Sequence, residues 1–467
     1  MINKTSTDLV IGKTDFALLF FIIWFQLLGN IACIITFICL IIYSMTNTKS
    51  AIKSLMIGFI ISFLNPGIFP KSQYIGILKW VLLFTSAIRI YIDLLKIIIF
   101  TNSDRIPKWF IALIIFVIYV FISSFFMSYN ITISFMKIFS FFIAVSSILL
   151  GFNITKEYKW QNWFYTAFIV ILISSLPFII IRSGYFRNGI AFQGILIHPQ
   201  TYGICIVIPL IWTTFNLKKI KKSNLSLYIL MALGWFSIYL SQCRTAMFAV
   251  VLSLFTYSII NVHIVSIKIK NTLKYFRRPI AIIIFSAICI LFTLNYKSIY
   301  SNITYFILKG DFKDISNVYP FELYDKSRGL IVQKSISNFK NSPVIGNGFG
   351  VGSDITRFSP NNVYFFGINI PIGASIEKSF IITALLEEVG ILGTILFFVF
   401  IIFISIPIII TKNIALELMY FTAIFTTFGE MTIFSSAGIG LYIWLFIGMA
   451  MNYSVKSRNN CLLNETQ

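Results

Sequence analysis

Residues 109–126 read WFIALIIFVIYVFISSFF, a run of consecutive positions without a charged side chain. A helix needs about 20 mostly apolar residues to cross the hydrocarbon core of a bilayer, and this run is close to that length. Similar apolar runs recur from one end of the chain to the other. The sequence therefore predicts helices that lie side by side in a membrane.

The composition of the whole chain supports the same fold class. Of 467 residues, 58% are hydrophobic and only 11% are charged, with a mean hydropathy of +0.88. Soluble domains carry about 25% charged residues. Because membrane spans pack into one bundle, we predict a single polytopic domain over residues 1–467.

The predicted fold is an all-α integral membrane protein with about 12–14 transmembrane helices. The stretch 16–44 is either one tilted helix or two short ones, and Asn65-Pro66-Gly67 ends or kinks the second span. The stretch is too long for the apolar region of a signal peptide, so we expect it to stay in the mature protein. The candidate spans are 16–44, 54–68, 76–99, 109–126, 133–152, 161–181, 200–216, 225–240, 245–263, 280–297, 379–410, 414–430 and 434–452.

Two basic loops set the predicted orientation, because cytoplasmic loops carry an excess of lysine and arginine. Counting spans from them places the C-terminus in the cytoplasm, and it places the turn at Gln242, the loop 183–199 and one large loop at 298–378 outside. The protein is thus expected as a multi-pass membrane protein with the large loop outside. The basic loop residues are Lys218, Lys219, Lys221 and Lys222, then Lys268, Lys270, Lys274, Arg277 and Arg278.

The net charge of +21 is also typical of nucleic-acid-binding proteins. Most of the clustered basic residues fall in predicted cytoplasmic loops, where anionic lipid headgroups attract them. We therefore expect the lipid bilayer as a partner and no nucleic acid. The six cysteines are scattered and the only histidines are His198 and His263, so we expect no disulfide, no metal site and no cofactor.

Residues 241–246, SQCRTA, predict a tight external turn that begins a helix. The first turn of a helix has free backbone N–H groups and a favourable dipole for an anion, so Arg244 is a candidate phosphate ligand. The alternative is an interfacial arginine that extends to lipid headgroups. The neighbouring external loop carries Arg182, Arg187 and His198, and this histidine is either a proton carrier or a hydrogen-bonded loop residue.

The large loop contains a second basic group and a glycine run. Lys326-Ser327-Arg328 is followed by SPVIGNGFG at residues 342–350. Glycines such as Gly346 and Gly348 let backbone amides approach an anion, although a purely structural turn is the alternative. The run has neither the strand and helix context nor the ending of a dinucleotide or P-loop fingerprint.

Acidic residues enter the span after the loop. If the helix starts before Glu377, Glu377 and Glu388 fall within about 20° of one face at 100° per residue. Carboxylates within a membrane indicate a functional site, and the alternative is a structural ion pair of Glu387 or Glu388 with a buried arginine such as Arg244.

These motifs resemble the O-antigen polymerase and O-antigen ligase superfamily over about residues 180–400. The resemblance consists of a Ser-x-x-Arg-Thr turn at 241–245, an arginine early in the large loop at Arg328, the Ser-Pro-x-x-Gly-x-Gly-x-Gly run at 342–350, and Leu-x-Glu-x-Gly-x-x-Gly at 386–393. It implies a helical bundle of the bacterial cytoplasmic (inner) membrane that transfers glycans from an undecaprenyl-pyrophosphate carrier. Ligases of this superfamily typically carry a His-Asn pair where this sequence has Glu377-Lys378, which favours a polymerase.

The resemblance implies a metal-independent glycosyltransferase that polymerises lipid-linked oligosaccharide repeat units into O-antigen, capsular or exopolysaccharide chains. Cationic side chains would stabilise the departing pyrophosphate while Glu377 or His198 deprotonates the acceptor hydroxyl. A flippase and a chain-length regulator are the expected protein partners. The predicted ligands of the pyrophosphate and glycan are Arg187, Arg244, Arg328, Lys378, Gly346 and Gly348.

Two other functions remain open at this point. A ligase would transfer the glycan to a lipid A core or to a protein. A lipid-linked oligosaccharide flippase or transporter would line a central cavity with charges from both membrane sides, whereas the charges near these motifs collect on the predicted outer side. The identity of the sugar and of its linkage is not encoded in any of these motifs.

Overall fold

The chain folds as an α-helical membrane protein. The computed structural model describes residues 9–101, 107–187, 189–217, 225–262, 329–351, 360–365, 368–374, 378 and 380–465. Its helices are α1 Lys13–Phe25, α2 Asn30–Ser44, α3 Thr48–Ser62, α4 Ile75–Thr101, α5 Lys108–Met127, α6 Ile131–Ile154, α7 Trp160–Ser175, α8 Pro199–Asn216, α9 Leu225–Leu240, α10 Arg244–Ile260, α11 Leu330–Asn341, α12 Ile381–Ile410, α13 Ile414–Phe425 and α14 Ile439–Glu465.

Among the described residues, four helices are long and apolar enough to cross a membrane: Lys108–Met127, Ile131–Ile154, Trp160–Ile179 and Ile381–Ile410. Shorter apolar helices lie at Asn30–Ser44, Leu225–Leu240, Arg244–Ile260, Ile414–Phe428 and Ile439–Ser454. The prediction of an α-helical membrane protein is therefore confirmed. The number of spans and the orientation stay predictions, and the candidate span at 280–297 lies outside the described residues.

The first apolar stretch forms two short helices. A 3-10 turn, Gln26–Leu28, and Gly29 separate α1 from α2. Gly29 has φ +88°, a left-handed conformation that ends the first helix and that glycine adopts without a steric penalty. Of the two interpretations left open for 16–44, two short helices is the correct one.

The second predicted break also lies where the sequence places it. Helix α3 ends at Ser62, and the amide of buried Asn65 then ties the chain to the loop before α8. Its Nδ2 donates to the carbonyls of Ser183 (2.8 Å) and Gly194 (3.1 Å), while its Oδ1 accepts from the N–H of Gly67 (2.9 Å). A buried side-chain amide with these bonds fixes the geometry of both loops.

Polar contacts hold the helices together inside the bundle. Asn452 of α14 donates from Nδ2 to the carbonyl of Phe152 in α6 at 2.7 Å. The hydroxyls of Ser405 in α12 and Tyr420 in α13 lie 2.6 Å apart. Lipid tails are as apolar as the helix surfaces, so packing and interhelical hydrogen bonds such as these contribute to association in a membrane.

The described part of the loop 298–378 is folded against the bundle. It contains α11, the glycine run and an antiparallel hairpin of β1 (Pro360–Phe365) and β2 (Ile368–Ala374), in which Val363 pairs with Ile370. The glycine run lies against Ser128 at the end of α5, Lys137 near the start of α6 and Glu388 near the start of α12. We call this the cap end of the bundle. That the cap end faces outward stays a prediction.

Candidate functional site

A buried cluster of charges lies where α12 begins. The ammonium of Lys378 lies 3.2 Å from Glu387 Oε2 and 2.9 Å from Glu388 Oε1. All three residues are at most 3% exposed. Burial opposes the charge on Lys378, but the two carboxylates outweigh it and raise the pKa of the amine above its usual value. Lys378 is therefore a cation at neutral pH, held by two anions.

The start of α12 corrects one prediction. The helix begins at Ile381, with Phe380 as its N-cap, so Lys378 lies ahead of the helix and reaches along it to the second turn. The prediction that Glu377 and Glu388 share one continuous helical face is wrong for this reason. Glu377 itself lies outside the described residues. The suggested ion pair of Glu387 or Glu388 takes Lys378 as its partner.

The glycine run packs directly on the backbone of α12. The N–H of Asn347 donates to the carbonyl of Glu387 (2.9 Å), and that of Gly348 donates to the carbonyl of Glu388 (3.0 Å). The N–H of Gly350 donates to Oε2 of the same glutamate at 2.7 Å. Gly346, Gly348 and Gly350 have φ of +82°, +104° and +75°. A Cβ on Gly346 would lie 2.5 Å from the Glu388 carbonyl, so this approach requires glycine.

A break in α12 makes these bonds possible. Gly390 has φ +66° and ψ −171°, which is not helical and interrupts the hydrogen-bond ladder. The carbonyls before the break bond to the glycine run, and the N–H of Ile391 after it donates to the carbonyl of Pro343 at 2.9 Å. The two segments, 342–350 and 387–392, thus provide hydrogen-bond partners for each other's backbone N–H and C=O groups. We call this pair of segments the interlock.

Helix α5 supports the interlock from the side. The hydroxyl of Tyr119 lies 3.2 Å from the carbonyls of both Val344 and Val389, one from each segment. Ser123 donates to the carbonyl of Ile345 at 2.7 Å, and Ser124 accepts from the N–H of Phe349 at 3.0 Å. Side chains of α5 therefore satisfy backbone groups of the glycine run.

The amides of the predicted ligands Gly346 and Gly348 are already hydrogen-bonded. The N–H of Gly346 donates to the carbonyl of Ser342 at 2.9 Å, and that of Gly348 donates to Glu388. These bonds fit the structural alternative for the glycine run. Contact of Gly346 or Gly348 with a substrate stays a prediction.

A second lysine joins the cluster and was missed by the sequence analysis. Lys137 of α6 packs its side chain against Gly350, with its ammonium 5.4 Å from the ring centre of Phe349. The charges of Glu388 and Lys378 both act on it. A charged side chain within an apolar span is the signal that would have found it.

The arginine turn packs against the start of α8. Gln242 has φ +50°, and the N–H of Arg244 donates to the Gln242 carbonyl at 3.0 Å. A Cβ on Gly203 of α8 would collide with Cys243, so the turn and the helix touch through this glycine. Arg244 is the first residue of α10 and is partly buried, as predicted for a residue at a helix N-terminus.

His198 is the N-cap of α8. Its Nδ1 accepts a hydrogen bond from the N–H of Gln200 at 3.1 Å. A neutral imidazole that accepts at Nδ1 carries its proton on Nε2, so this ring is a donor at Nε2. Arg187 lies earlier in the same loop with an exposed side chain, and its backbone N–H donates to Gln193 Oε1 at 3.1 Å.

Residues 429–431 link the arginine turn with the charge cluster. Thr245 lies against Gly429, where a Cβ would collide with the threonine side chain. Two residues further on, the N–H of Met431 donates to the carbonyl of Lys378 at 3.2 Å. Segments far apart in sequence therefore meet at the cap end. Arg328, a further predicted ligand, lies outside the described residues.

Within the described ranges, no three His, Cys, Asp or Glu side chains group as a metal site would require. The carboxylates of Glu387 and Glu388 have lysine as their counter-ion instead. Compared with protein-family models and with curated proteins, the sequence matches none.

Proposed function

We propose that the protein is a glycosyltransferase of the membrane that polymerises oligosaccharide repeat units carried on undecaprenyl pyrophosphate, at the outer face of the bacterial cytoplasmic membrane. The observation that carries this proposal is the meeting of the motifs at the cap end. The turn of Arg244 contacts the helix that His198 caps, and the glycine run contacts the Glu388 segment. Residues 429–431 and Lys378 link these two pairs of segments, which are distant in sequence. Such convergence is what a substrate site built from several loops requires.

The buried cluster acts in this proposal as the support of the site. Lys378 is 3% exposed and engaged by two carboxylates, so it positions the glycine run and the start of α12. Its role thus shifts from the pyrophosphate ligand expected from sequence to a positioning residue. The pyrophosphate ligands in the proposal are Arg244 and Arg328, together with the exposed Arg187.

The hydrogen bond at His198 distinguishes between the two candidate bases, His198 and Glu377. With Nδ1 accepting from Gln200, the neutral ring offers an N–H at Nε2 and no free lone pair. The neutral ring of His198 is therefore not suited to accept the proton of the acceptor hydroxyl. Glu377 is left as the proposed base that deprotonates the acceptor hydroxyl, which attacks the sugar carbon as the pyrophosphate leaves. Cationic side chains stabilise the negative charge that develops on the leaving group.

The arginine at the start of α10 provides the sharpest test. A strain deleted for this gene is complemented with wild type, Arg244→Ala, or Arg182→Ala as a control, because Arg182 is an exposed arginine of the same end. Surface glycan length is read on a gel and protein level by immunoblot. Loss of one ligand of a leaving anion lowers rates by about 100-fold or more, so we expect single repeat units with Arg244→Ala and long chains with Arg182→Ala.

Long chains from both variants would rule out Arg244 as a ligand of the leaving group. Loss of glycan from the surface, with lipid-linked repeat units retained on the cytoplasmic side in the deletion strain, would indicate a flippase. Long chains that stay on the carrier lipid in the deletion strain would indicate a ligase.

A further inference from the structure

Two lysines at the cap end lack an acidic partner. Lys71 lies in the loop between α3 and α4, and Lys79 lies in the second turn of α4. Both are partly buried, and no carboxylate in the described part of the chain pairs with either. Burial, and secondly the charge of Lys79, lower the pKa of Lys71 to about 8. The pair is thus a half-buried concentration of positive charge.

Lys71 lies near the ends of two helices. Its ammonium donates to the carbonyl of Ser62 at 3.4 Å, at the end of α3. The loop also lies beside the start of α2, where the backbone of Ser72 bonds Cys33 and where the N-cap Gly29 provides no side-chain cap. The N-terminus of a helix favours an anion because its first N–H groups lack intrahelical acceptors.

Exposed aromatic and apolar side chains lie near the lysines in sequence. Tyr74, between them in sequence, is 50% exposed, and Val81 of α4 is 39% exposed. Tyrosine near the end of an apolar helix is typical of the membrane interface, where headgroups meet acyl chains. A ligand with a phosphate and a hydrocarbon tail matches both the charge and this surface.

We propose that Lys71 and Lys79 form a binding site for the negatively charged phosphate of a membrane lipid. A phosphate accepts charge-assisted hydrogen bonds from both ammonium groups and neutralises two like charges that otherwise repel. The phosphate belongs either to the headgroup of an anionic phospholipid or to a polyprenyl phosphate. The site stands independently of the proposed polymerase activity.

The site borders the segment that carries His198. The carbonyl of Phe63, the residue after Ser62, accepts from the N–H of Ile197 at 2.8 Å. A lipid phosphate at Lys71 is thus held one loop away from the residue that caps α8. For a polyprenyl phosphate, this placement brings the carrier lipid to the edge of the proposed active site.

The test compares lipid binding by variants of the full-length protein in detergent. Wild type, Lys71→Gln/Lys79→Gln and Lys96→Gln are titrated with dioctanoyl phosphatidylglycerol, with the net-neutral dioctanoyl phosphatidylcholine and with undecaprenyl phosphate, and dissociation constants are measured by native mass spectrometry. Lys96 is the matched control, because it is an exposed lysine of the same helix. Each charge-assisted hydrogen bond is worth about tenfold in affinity.

We expect the double variant to bind the anionic lipids at least about tenfold more weakly than wild type and Lys96→Gln. Tighter binding of phosphatidylglycerol identifies a headgroup site, and tighter binding of undecaprenyl phosphate identifies a carrier site. Equal affinities in the wild type and the double variant would overturn the proposal. So would equal affinity of the wild type for phosphatidylcholine and for both anionic lipids.

A second measurement needs no variant. The described titratable groups that face Lys71 are Lys79 and Cys33. Because Lys71 loses its proton near pH 8, binding of phosphatidylglycerol to the wild type weakens severalfold between pH 7 and pH 9.5. An affinity that stays constant over this range would contradict a role for Lys71.

Discussion

Lys378 and Lys71 lie at the same end of the molecule, and their surroundings are opposite. Lys378 is 3% exposed and held by two carboxylates, which raise the pKa of its amine. Lys71 is partly buried beside another lysine, without an acidic partner in the described chain, and the pKa of its amine falls to about 8. A buried cation whose counter-ions are supplied by the protein stabilises the fold. In our proposal, a partly buried cation without such counter-ions binds an anion that is not part of the protein.

The largest expected effect comes from removing the cation of the cluster. Lys378→Met leaves Glu387 and Glu388 buried without their ammonium, which costs about 3–5 kcal/mol of folding stability. Thermal unfolding of the purified protein measures the loss. Lys340→Met, at an exposed lysine of α11, is the control and should unfold like wild type. Equal unfolding temperatures for both variants would show that the cluster contributes nothing to stability.

A somewhat smaller effect is expected in the glycine run. Gly346→Ala combines a positive φ with a collision against the backbone of Glu388, so we expect a loss of about 2–4 kcal/mol. Two other glycines distinguish the cost of the positive φ from the cost of the collision. Gly189 has φ +73° but no atom near its would-be Cβ, and Gly76 has neither a positive φ nor a close atom. In thermal unfolding, Gly346→Ala should be the least stable variant, Gly189→Ala the next and Gly76→Ala the most stable. An unfolding temperature of Gly346→Ala equal to that of Gly189→Ala would remove the argument from close approach.

The two lysines should also differ in their pH dependence. The amine of Lys71 has its folded pKa below its unfolded value, so folding expels a proton and stability rises with pH between about 8 and 10.5, by up to about 1.4 kcal/mol per pH unit. Lys378 has a raised folded pKa, so its contribution is fully present below the unfolded value and constant over this range. The unfolding temperature is compared between wild type and Lys71→Met at pH 7.5 and 9.5. Only wild type should gain the extra stability; an identical pH response of the two would contradict the lowered pKa.

The smallest effect is expected at the support of the interlock from α5. Tyr119→Phe removes one hydroxyl shared by the carbonyls of Val344 and Val389, which costs about 1 kcal/mol. Tyr74→Phe, at an exposed tyrosine, should cost less than half of that. The free energy of unfolding of both variants is measured in denaturant. A larger cost for Tyr74→Phe would show that the hydroxyl of Tyr119 is not a support.

Local signals were sufficient for the class of fold and for its breaks. Apolar runs of helical length predict the helices, and Gly29 and the Asn65-Pro66-Gly67 stretch mark breaks that the structure contains. These features depend on residues that are neighbours in sequence. The sequence also singled out the glycine run and the Glu388 segment as separate motifs.

The contact between these two motifs could not be predicted from the sequence. The interlock depends on backbone hydrogen bonds between residues about 40 positions apart, such as the bond from the N–H of Gly348 to the carbonyl of Glu388. It also depends on Gly390, whose break looks in the sequence like a tolerated glycine inside a long helix. The position of Lys137 beside the cluster follows only from the packing of α6 against the run. Tertiary contacts of this kind leave no local pattern in one sequence.

The most direct test of the central claim is chain growth in a purified system. The protein is reconstituted in liposomes with undecaprenyl-pyrophosphate-linked repeat units extracted from the deletion strain, and product length and released undecaprenyl pyrophosphate are measured. The account predicts a ladder of longer glycans on the lipid with release of one carrier per repeat added, abolished by Arg244→Ala. Repeat units that stay single in the presence of the wild-type protein, or that only move between leaflets, would contradict it.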